Sequence, residues 1–182
     1  MIGPVVHILL ALIVAGIVHL STVLIMPWVA ARDGFVRISA LAQDNSMSVL
    51  SASEVRNNLP FSDPAKAVAT CRYILDKGPV RVRLAAGPWP TAILFLRKGT
   101  GIYQSLSDKS AVQGVLDIVI ATAEQMKKIT ALDTDDEPVQ EIRIVAPEEL
   151  GVVVVRSLVR TASEREDVLR QLRAATCETE TL

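Results

Sequence analysis

The chain contains only two histidines, His7 and His19, and both lie in an apolar segment near its start. The remaining sequence has no imidazole for Ser–His or Cys–His nucleophiles, for histidine acid–base catalysis or for an ordinary zinc site. Carboxylates around Asp108 or Asp117 could still act in catalysis, but no spacing favours them. From the sequence we therefore expect no catalytic residue, no metal ion and no cofactor.

Two short motifs resemble ligand-binding loops but lack essential parts. The acidic run at 133–137 offers oxygen ligands, but Pro138 follows where a calcium loop needs a glycine-enabled turn and a distal glutamate. The run Gly99-Thr100-Gly101 precedes a strand pattern, whereas a phosphate-binding loop precedes a helix. These patterns are typical of a solvated loop and a hairpin turn.

Cys71 and Cys177 are the only cysteines, and more than 100 residues separate them. In an oxidising compartment, a disulfide across such a loop would stabilise the fold by up to about 4.7 kcal/mol in the chain-entropy model. Two separate buried thiols are the alternative, because free cysteines are often buried. The two residues are a disulfide candidate if the domain is exported.

Trp89 lies between two prolines, and Arg97 and Tyr103 follow it in a strand-rich region. Aromatic side chains and arginine are enriched in recognition surfaces, so these three residues are candidates for such a surface. A tryptophan that closes the end of a β-sandwich is the alternative.

The 182 residues carry a formal net charge of -1, and every Lys, Arg, Asp and Glu lies at or beyond Arg32. Without a basic field, nucleic acid is not an expected partner. The run Val5–Val29 would form a helix of roughly 37 Å, longer than a hydrocarbon core of about 30 Å. Residues 1–31 are therefore predicted to be a transmembrane signal-anchor helix in the lipid bilayer. A signal peptide cleaved after Val29-Ala30-Ala31 is the alternative.

One slanted row of that helix contains His7, Ala11, Ala15 and His19, because residues four apart lie on the same face. Small residues allow a second helix to approach closely, and imidazoles can form hydrogen bonds across the contact. The row predicts a companion membrane protein or a homo-oligomer as partner. Chance recurrence of alanine in an apolar helix is the alternative.

The membrane orientation has two opposing signals. Arg32 and Arg37 follow the apolar run, and the positive-inside rule alone would keep the domain in the cytoplasm. A disulfide would require export, and the rule loses force for long translocated domains. The residues alone leave the orientation open.

Residues 32–64 are predicted to connect the anchor to the domain. Within them, 33–41 has apolar residues at the spacing of a short amphipathic helix of its own. Residues 43–64 are rich in serine and contain two prolines, which predicts an irregular connection. At its end, 63–69 has the Asp-Pro start and the alanines of a further short helix.

Residues 65–182 are predicted to form one β-rich domain. Apolar and polar residues alternate between turn signals, which is typical of an antiparallel meander. The run Val152–Val155 has no polar alternate, so it predicts a central strand covered on both faces. Ser163–Glu166 has the capping-box pattern of a helix start. The meander covers 71–106, with strands at 71–75 and 80–84 and turns at 76–79, 87–90 and 98–101. Further strands are predicted at 115–121, 140–145 and 151–160, and the helix has an apolar stripe of Val168, Leu169, Leu172 and Ala175.

The predicted fold class is therefore α+β. It consists of an N-terminal transmembrane helix followed by a mainly antiparallel β-sheet or sandwich domain, with a C-terminal helix packed on it.

A set of motifs spread over this domain resembles one known family. The motifs are Cys71-Arg72-Tyr73, Gly78–Val82, Trp89, Tyr103–Asp108, and Asp135–Pro138 leading into Glu141–Pro147. Together they resemble the short, single-domain bacterial form of the domain-of-unknown-function 1254 family. The resemblance implies an inner-membrane-anchored protein of a Gram-negative envelope, with a β-rich domain in the periplasm and no established reaction. Short members resemble half of a longer two-part architecture, which implies a companion membrane protein.

Three functional hypotheses follow. The first is a non-enzymatic binding or assembly module, single-pass in the inner membrane, with a membrane partner. The second is an envelope domain that binds a lipid or a glycan, with Trp89 and Tyr103 as its platform. The third is a carboxylate-based enzyme. The missing catalytic set favours the first.

Overall fold

The computed structural model describes residues 2–59, 62–133 and 140–181, so 134–138 of the acidic run and its proline lie outside the described residues. The predicted α+β class is confirmed, with a long N-terminal helix, mainly antiparallel sheets and a helix near the C-terminus. The helices are α1 (Ile2–Leu41), α2 (Ala52–Asn58), α3 (Ala123–Leu132) and α4 (Arg165–Arg173). The strands are β1 (Ser48–Val49), β2 (Lys66–Ile74), β3 (Val80–Ala85), β4 (Thr91–Arg97), β5 (Gly101–Ser107), β6 (Val115–Ala121), β7 (Ile142–Val145), β8 (Leu150–Leu158) and β9 (Thr176–Thr179).

Two sheets enclose the main apolar core. The first has the strand order β1-β2-β8-β4-β5, and the second has the order β7-β6-β3-β9. Neighbouring strands of the described chain are antiparallel except β6 and β7, which are parallel. Buried side chains from both sheets belong to one packed cluster, so the domain is a β-sandwich.

The predicted meander is wrong. β2 pairs with β8, β3 pairs with β6 and β9, and β4 pairs with β8, so the chain passes between the sheets twice from β2 to β4. Alternating apolar residues specify which face of a strand is buried, but they do not specify its neighbour. The β4–β5 hairpin, with its turn at 98–100, is the part of the meander that forms.

β8 is the central strand that its four consecutive valines predicted. Val153 and Val155 belong to the core between the sheets, whereas Val152 and Val154 pack in a second cluster on the outer face of the first sheet. All four side chains are buried. A strand covered on both faces needs apolar residues at every position, and for this reason the four valines predict a central strand.

The separate helix predicted for 33–41 does not exist, because α1 runs without interruption from the apolar segment to Leu41. Extending an existing helix fixes one residue for each new hydrogen bond, and this costs less than forming a new helix nucleus. The predicted amphipathic face is nevertheless present, since Phe35 and Ile38 are buried in the cluster on the outer face of the first sheet. The end of α1 is therefore part of the domain.

The helix predicted at 63–69 is wrong, because β2 begins at Lys66. Asp63 accepts a hydrogen bond from the Ala65 amide at 2.9 Å, which stabilises a single turn. Pairing of all nine residues of β2 with β8 then overrides the local helix signal. The helix of this region, α2, lies instead in the predicted irregular connection, where Ser51 and Glu54 form a capping box.

The helix near the C-terminus packs as predicted, with Val168 and Leu172 fully buried against the sandwich. Its capping box consists of Thr161 and Glu164, two residues before the predicted Ser163–Glu166 box, and it begins with a 3-10 turn. Besides α2 and β1, two further elements were not predicted: α3, whose capping box is Thr122 and Gln125, and β9, which adds to the edge of the second sheet.

Candidate functional site

Cys71 and Cys177 form a disulfide in the structure. Cys71 lies in β2 of the first sheet and Cys177 in β9 of the second, with a Cα–Cα distance of 6.5 Å and a sequence separation of 106 residues. Both residues are buried. The bond therefore connects the two sheets through the core, from a strand near the start of the domain to its last strand.

The four residues predicted to contact a partner helix lie on one exposed face of α1. His7, Ala11, Ala15 and His19 share this face with Val14 and Val18, among others. The Nδ1 atom of His7 lies 2.6 Å from the Gly3 carbonyl oxygen, four residues earlier. The face is shallow and mainly apolar, so it could contact either lipid chains or another helix.

The apolar part of α1 is long enough to cross a membrane. The helix contains a window with a mean hydropathy of 2.7, and no part of that window is buried by the rest of the chain. Length and composition carry this inference, and a signal sequence has the same properties. The structure thus supports the coarser prediction of an N-terminal helix that is able to span a bilayer.

The structure does not gather Trp89, Arg97 and Tyr103 into one surface. Trp89 precedes β4 and Arg97 ends it, so these two residues are separated by the length of the strand, about 20 Å at ~3.4 Å per residue. Trp89 is half-buried against the core, and Arg97 donates to the Thr100 hydroxyl of the adjacent turn. The side chains therefore make separate local contacts.

Tyr103 points toward the core and contacts a second tyrosine. Its hydroxyl lies 3.2 Å from the hydroxyl of Tyr73, and its ring packs on Phe95 with a centroid distance of 6.2 Å. Burial raises the pKa of both tyrosines above the ordinary value, because the phenolate is poorly solvated there. Tyr103 is consequently a packing residue with a buried polar tip.

The outer side of the second sheet carries a network of ion pairs. Arg81 on β3 donates to Asp117 at 3.1 Å, to Glu141 at 2.7 Å and to Glu180 at 3.0 Å. Arg83 also donates to Asp117, at 2.9 Å. Asp117, a candidate catalytic carboxylate in the sequence, thus accepts hydrogen bonds from two arginines. This arrangement is typical of a structural ion-pair network.

A cleft of about 750 Å³ lies between α2, the strands β1 and β2, and α4. This volume falls within the range of about 300 to 1,000 Å³ that is common for small-molecule sites. Its lining includes both apolar and charged side chains. The apolar lining includes Val49, Leu50, Val55, Leu59, Val68 and Leu169.

The charged lining residues of this cleft are mainly basic. They comprise four cations and one carboxylate, namely Arg56, Lys66, Arg165, Arg173 and Glu54. The Glu54 carboxylate accepts from the Ser51 amide at 2.7 Å and from its hydroxyl at 2.6 Å, and these bonds lower its pKa. The only acid of the lining is therefore already engaged in capping α2.

The cations of the cleft have weak partners within the described residues. Arg56 makes no ion pair there, and Arg165 donates to the Pro64 carbonyl oxygen at 3.2 Å. Lys66 lies 3.6 Å from Asp63, and Arg173 lies 3.9 Å from Glu166. Sequence reasoning missed this site because its residues extend from 49 to 173 and meet through α2, which was not predicted, and through packing of α4.

Comparison with known proteins supports the fold and no specific activity. No protein-family model matches the chain, and no curated protein matches it. The fold is similar to that of the VPA0106 protein from Vibrio parahaemolyticus, with a TM-score of 0.53 and 10% identity over 78% of this chain and 32% of that protein. It is also similar to an uncharacterised protein from Burkholderia cenocepacia, with a TM-score of 0.50 and 9% identity over 79% of this chain and 38% of that protein. The chain therefore spans about a third of the length of these two neighbours.

Proposed function

We propose that this protein is a single-pass protein of the inner membrane whose β-sandwich faces the periplasm and binds another envelope component without catalysing a reaction. The observation that carries this proposal is the division of α1 into two parts. Its apolar part is fully exposed, whereas Phe35 and Ile38 near its end are buried in the domain. A helix of this kind holds the sandwich at the surface of the membrane into which it inserts.

Water is an unfavourable environment for the exposed part of α1. Each exposed apolar Å² costs about 25 cal/mol relative to burial, and exposed apolar patches of more than a few hundred Å² mark membrane or protein contacts. A helix satisfies its own backbone hydrogen bonds, so a bilayer can cover this surface without a polar penalty. These arguments favour an anchor.

The Cys71–Cys177 disulfide supports the periplasmic orientation, because disulfides persist in oxidising compartments. The arginines that follow the apolar run favour the opposite orientation, but that rule is weak for long translocated domains. The resemblance to the domain-of-unknown-function 1254 family supports the periplasm as well. On balance we place the domain outside the cytoplasm.

The exposed row His7, Ala11, Ala15 and His19 supports a companion membrane protein or a second copy as the bound component. The lack of imidazoles in the domain, and the pairing of Asp117 with two arginines, support binding over catalysis. A lipid is the second candidate component, and the apolar cleft with its cationic side chains favours lipid over glycan.

Thiol labelling tests the orientation. Cells that express the full chain are treated with a membrane-impermeant maleimide, with and without prior reduction, before and after the inner membrane is opened. We expect labelling of Cys71 and Cys177 only after reduction, in cells whose inner membrane is intact. Labelling without reduction, and only in opened cells, would overturn the periplasmic placement.

A reporter variant makes the result independent of the disulfide. Lys98 is exposed in the β4–β5 turn, so Lys98→Cys in a chain that also carries Cys71→Ser and Cys177→Ser presents one accessible thiol. We expect that thiol to react in intact spheroplasts. The Cys71→Ser/Cys177→Ser chain without the reporter is the matched control and should not react.

A further inference from the structure

The cleft between α2, β2 and α4 has the chemistry of a site for an anionic amphiphile. Its floor includes Leu50, Val55 and Val68, which are buried, while Leu59 and Leu169 contribute apolar surface at its sides. The lining contains four cationic side chains and one carboxylate, and that carboxylate is part of the capping box of α2. A ligand with a long apolar chain and a negative head complements both properties.

Arginine is well suited to bind a carboxylate as that head. Guanidinium groups bind carboxylates through two parallel hydrogen bonds, and they do so more specifically than an ammonium group does. Within the described residues, Arg56 has no ion pair and Arg165 has a backbone carbonyl as its one hydrogen-bond partner. Both guanidinium groups therefore retain donors for a ligand.

The position of the cleft points to a ligand from the membrane. Leu50, Val55 and Val68 of its lining also belong to the cluster that contains Phe35 and Ile38 of α1. The cleft thus adjoins the point where the membrane-crossing helix joins the domain. The apolar floor of the cleft is therefore continuous with the buried end of α1.

We propose that this cleft binds a long-chain fatty acid, with its acyl chain against the apolar floor and its carboxylate paired with Arg56 and Arg165. The proposal rests on the insertion of α1 into a membrane proposed above, and it names the lipid class, but it does not depend on the side of the membrane that the domain occupies. Failure of the periplasmic placement therefore leaves it in place.

Photo-crosslinking of the full chain in nanodiscs of phosphatidylcholine tests the site. The probe is a palmitate that carries a diazirine in its chain, and the modified peptides are identified by mass spectrometry. We expect modification of α2, the start of β2 and α4, and we expect unlabelled palmitate to suppress it. Hexadecanol has the same chain without the charge and should suppress it at least about tenfold less effectively, because a charged hydrogen bond is lost.

Charge-matched variants separate the site from general attraction of an anion. Arg56→Gln/Arg165→Gln should lower the labelling at least about tenfold. Arg160→Gln/Arg170→Gln removes two arginines outside the cleft lining and should leave the labelling unchanged. Equal thermal unfolding of both variants and the parent shows that folding is intact.

Three results would overturn the proposal. The first is probe labelling confined to the apolar part of α1, which would mean contact with probe dissolved in the bilayer. The second is equal labelling in the parent and in Arg56→Gln/Arg165→Gln. The third is displacement of the probe by lysophosphatidic acid at a lower concentration than by palmitate, which would assign the cleft to a phosphorylated lipid.

Discussion

Tyr73 on β2 lies directly opposite Gly151 on β8, and its phenol ring covers the glycine. A Cβ at 151 would collide with the tyrosine hydroxyl and ring. Tyr73 is completely buried, so it has little room to move away. The glycine therefore makes space for the largest fully buried side chain of the core.

Gly151→Ala should destabilise the domain for this reason. Overpacking a close-packed core typically costs about 1–3 kcal/mol, and we expect a loss of at least that size in urea unfolding of the detergent-solubilised chain. Gly34→Ala is the matched control, because a Cβ there meets no atom within 4 Å in the helix α1. It should raise stability slightly, if at all. Equal unfolding midpoints for Gly151→Ala and the parent would contradict the packing argument.

Removal of the disulfide should lower the free energy of unfolding by about 3–5 kcal/mol, because the bond closes a loop of 106 residues. The variant is Cys71→Ser/Cys177→Ser, and the measurement is urea unfolding with and without dithiothreitol. Reductant should shift the parent to the midpoint of the variant and leave the variant unchanged. A parent that is insensitive to reductant would show that the bond does not contribute to stability.

The two tyrosines should resist ionisation until the domain unfolds. The chain has two tyrosines in all, so tyrosinate absorbance reports only Tyr73 and Tyr103. Burial raises the pKa of both in the folded state, so the folded state favours the neutral phenols. The resulting stability is complete below the unfolded value of about 10 and is lost as the pH rises above it. We expect tyrosinate absorbance and loss of structure to rise together.

Tyr103→Phe tests the contact between these tyrosines. It leaves the buried Tyr73 hydroxyl without the partner that lies at 3.2 Å. A buried hydroxyl without a partner costs about 1–3 kcal/mol. A measured loss in urea unfolding below about 0.5 kcal/mol would indicate that the hydroxyl finds another acceptor or water.

Trp89 should stabilise the domain through packing of its ring, and its ring nitrogen should contribute little to the free energy of unfolding. Its Nε1 atom is buried without a hydrogen-bond partner among the described residues, while the ring packs against the core. Trp89→Phe should therefore change stability by less than about 1.5 kcal/mol. Trp89→Ala should cost about 3 kcal/mol, measured by thermal and urea unfolding. The reverse order would point to a polar role for the indole.

Substitution of Ala11 and Ala15 tests the proposed partner helix. Ala11→Leu/Ala15→Leu places two bulky groups on the small-residue row and should abolish co-purification of a membrane partner or of a tagged second copy. Leu20→Trp enlarges a side chain on the opposite side of α1 at about 100° per residue, and it should preserve co-purification. Retention of the partner by the double variant would exclude this face as the contact.

Secondary-structure elements could be predicted from the sequence where the spacing of apolar residues indicates which side chains are buried. The four valines of β8 indicated a strand covered on both faces, and the spacing of Phe35 and Ile38 indicated a buried helical face. Pairing between strands could not be predicted in the same way. The alternation of apolar and polar residues in a strand indicates which face is buried, but it does not indicate which strand lies beside it. Two missed helices did carry readable signals, since Ser51 with Glu54 and Thr122 with Gln125 have capping-box spacing.

The disulfide candidate could be named from the sequence because the chain has two cysteines, yet its position between opposite sheets required β9, which the sequence did not reveal. The cleft could not be anticipated at all. Arg56 on α2 and Arg165 on α4 are more than 100 positions apart in the sequence, and both line the cleft because α4 packs on β1 and β2. Sites formed by tertiary packing leave no local pattern.

Because α1 continues without a break from its apolar part into the domain, the length of the helix sets how the domain is rotated relative to that apolar part. Each residue added to a helix turns everything beyond it by about 100° and advances it by about 1.5 Å. A single residue inserted after Trp28 would therefore rotate the cleft by about 100° relative to the helix face that contains His7. Four inserted residues would leave a net rotation of about 40° and move the cleft about 6 Å along the helix axis. If α1 inserts into a membrane as proposed, helix length thus determines which side of the domain faces neighbouring proteins.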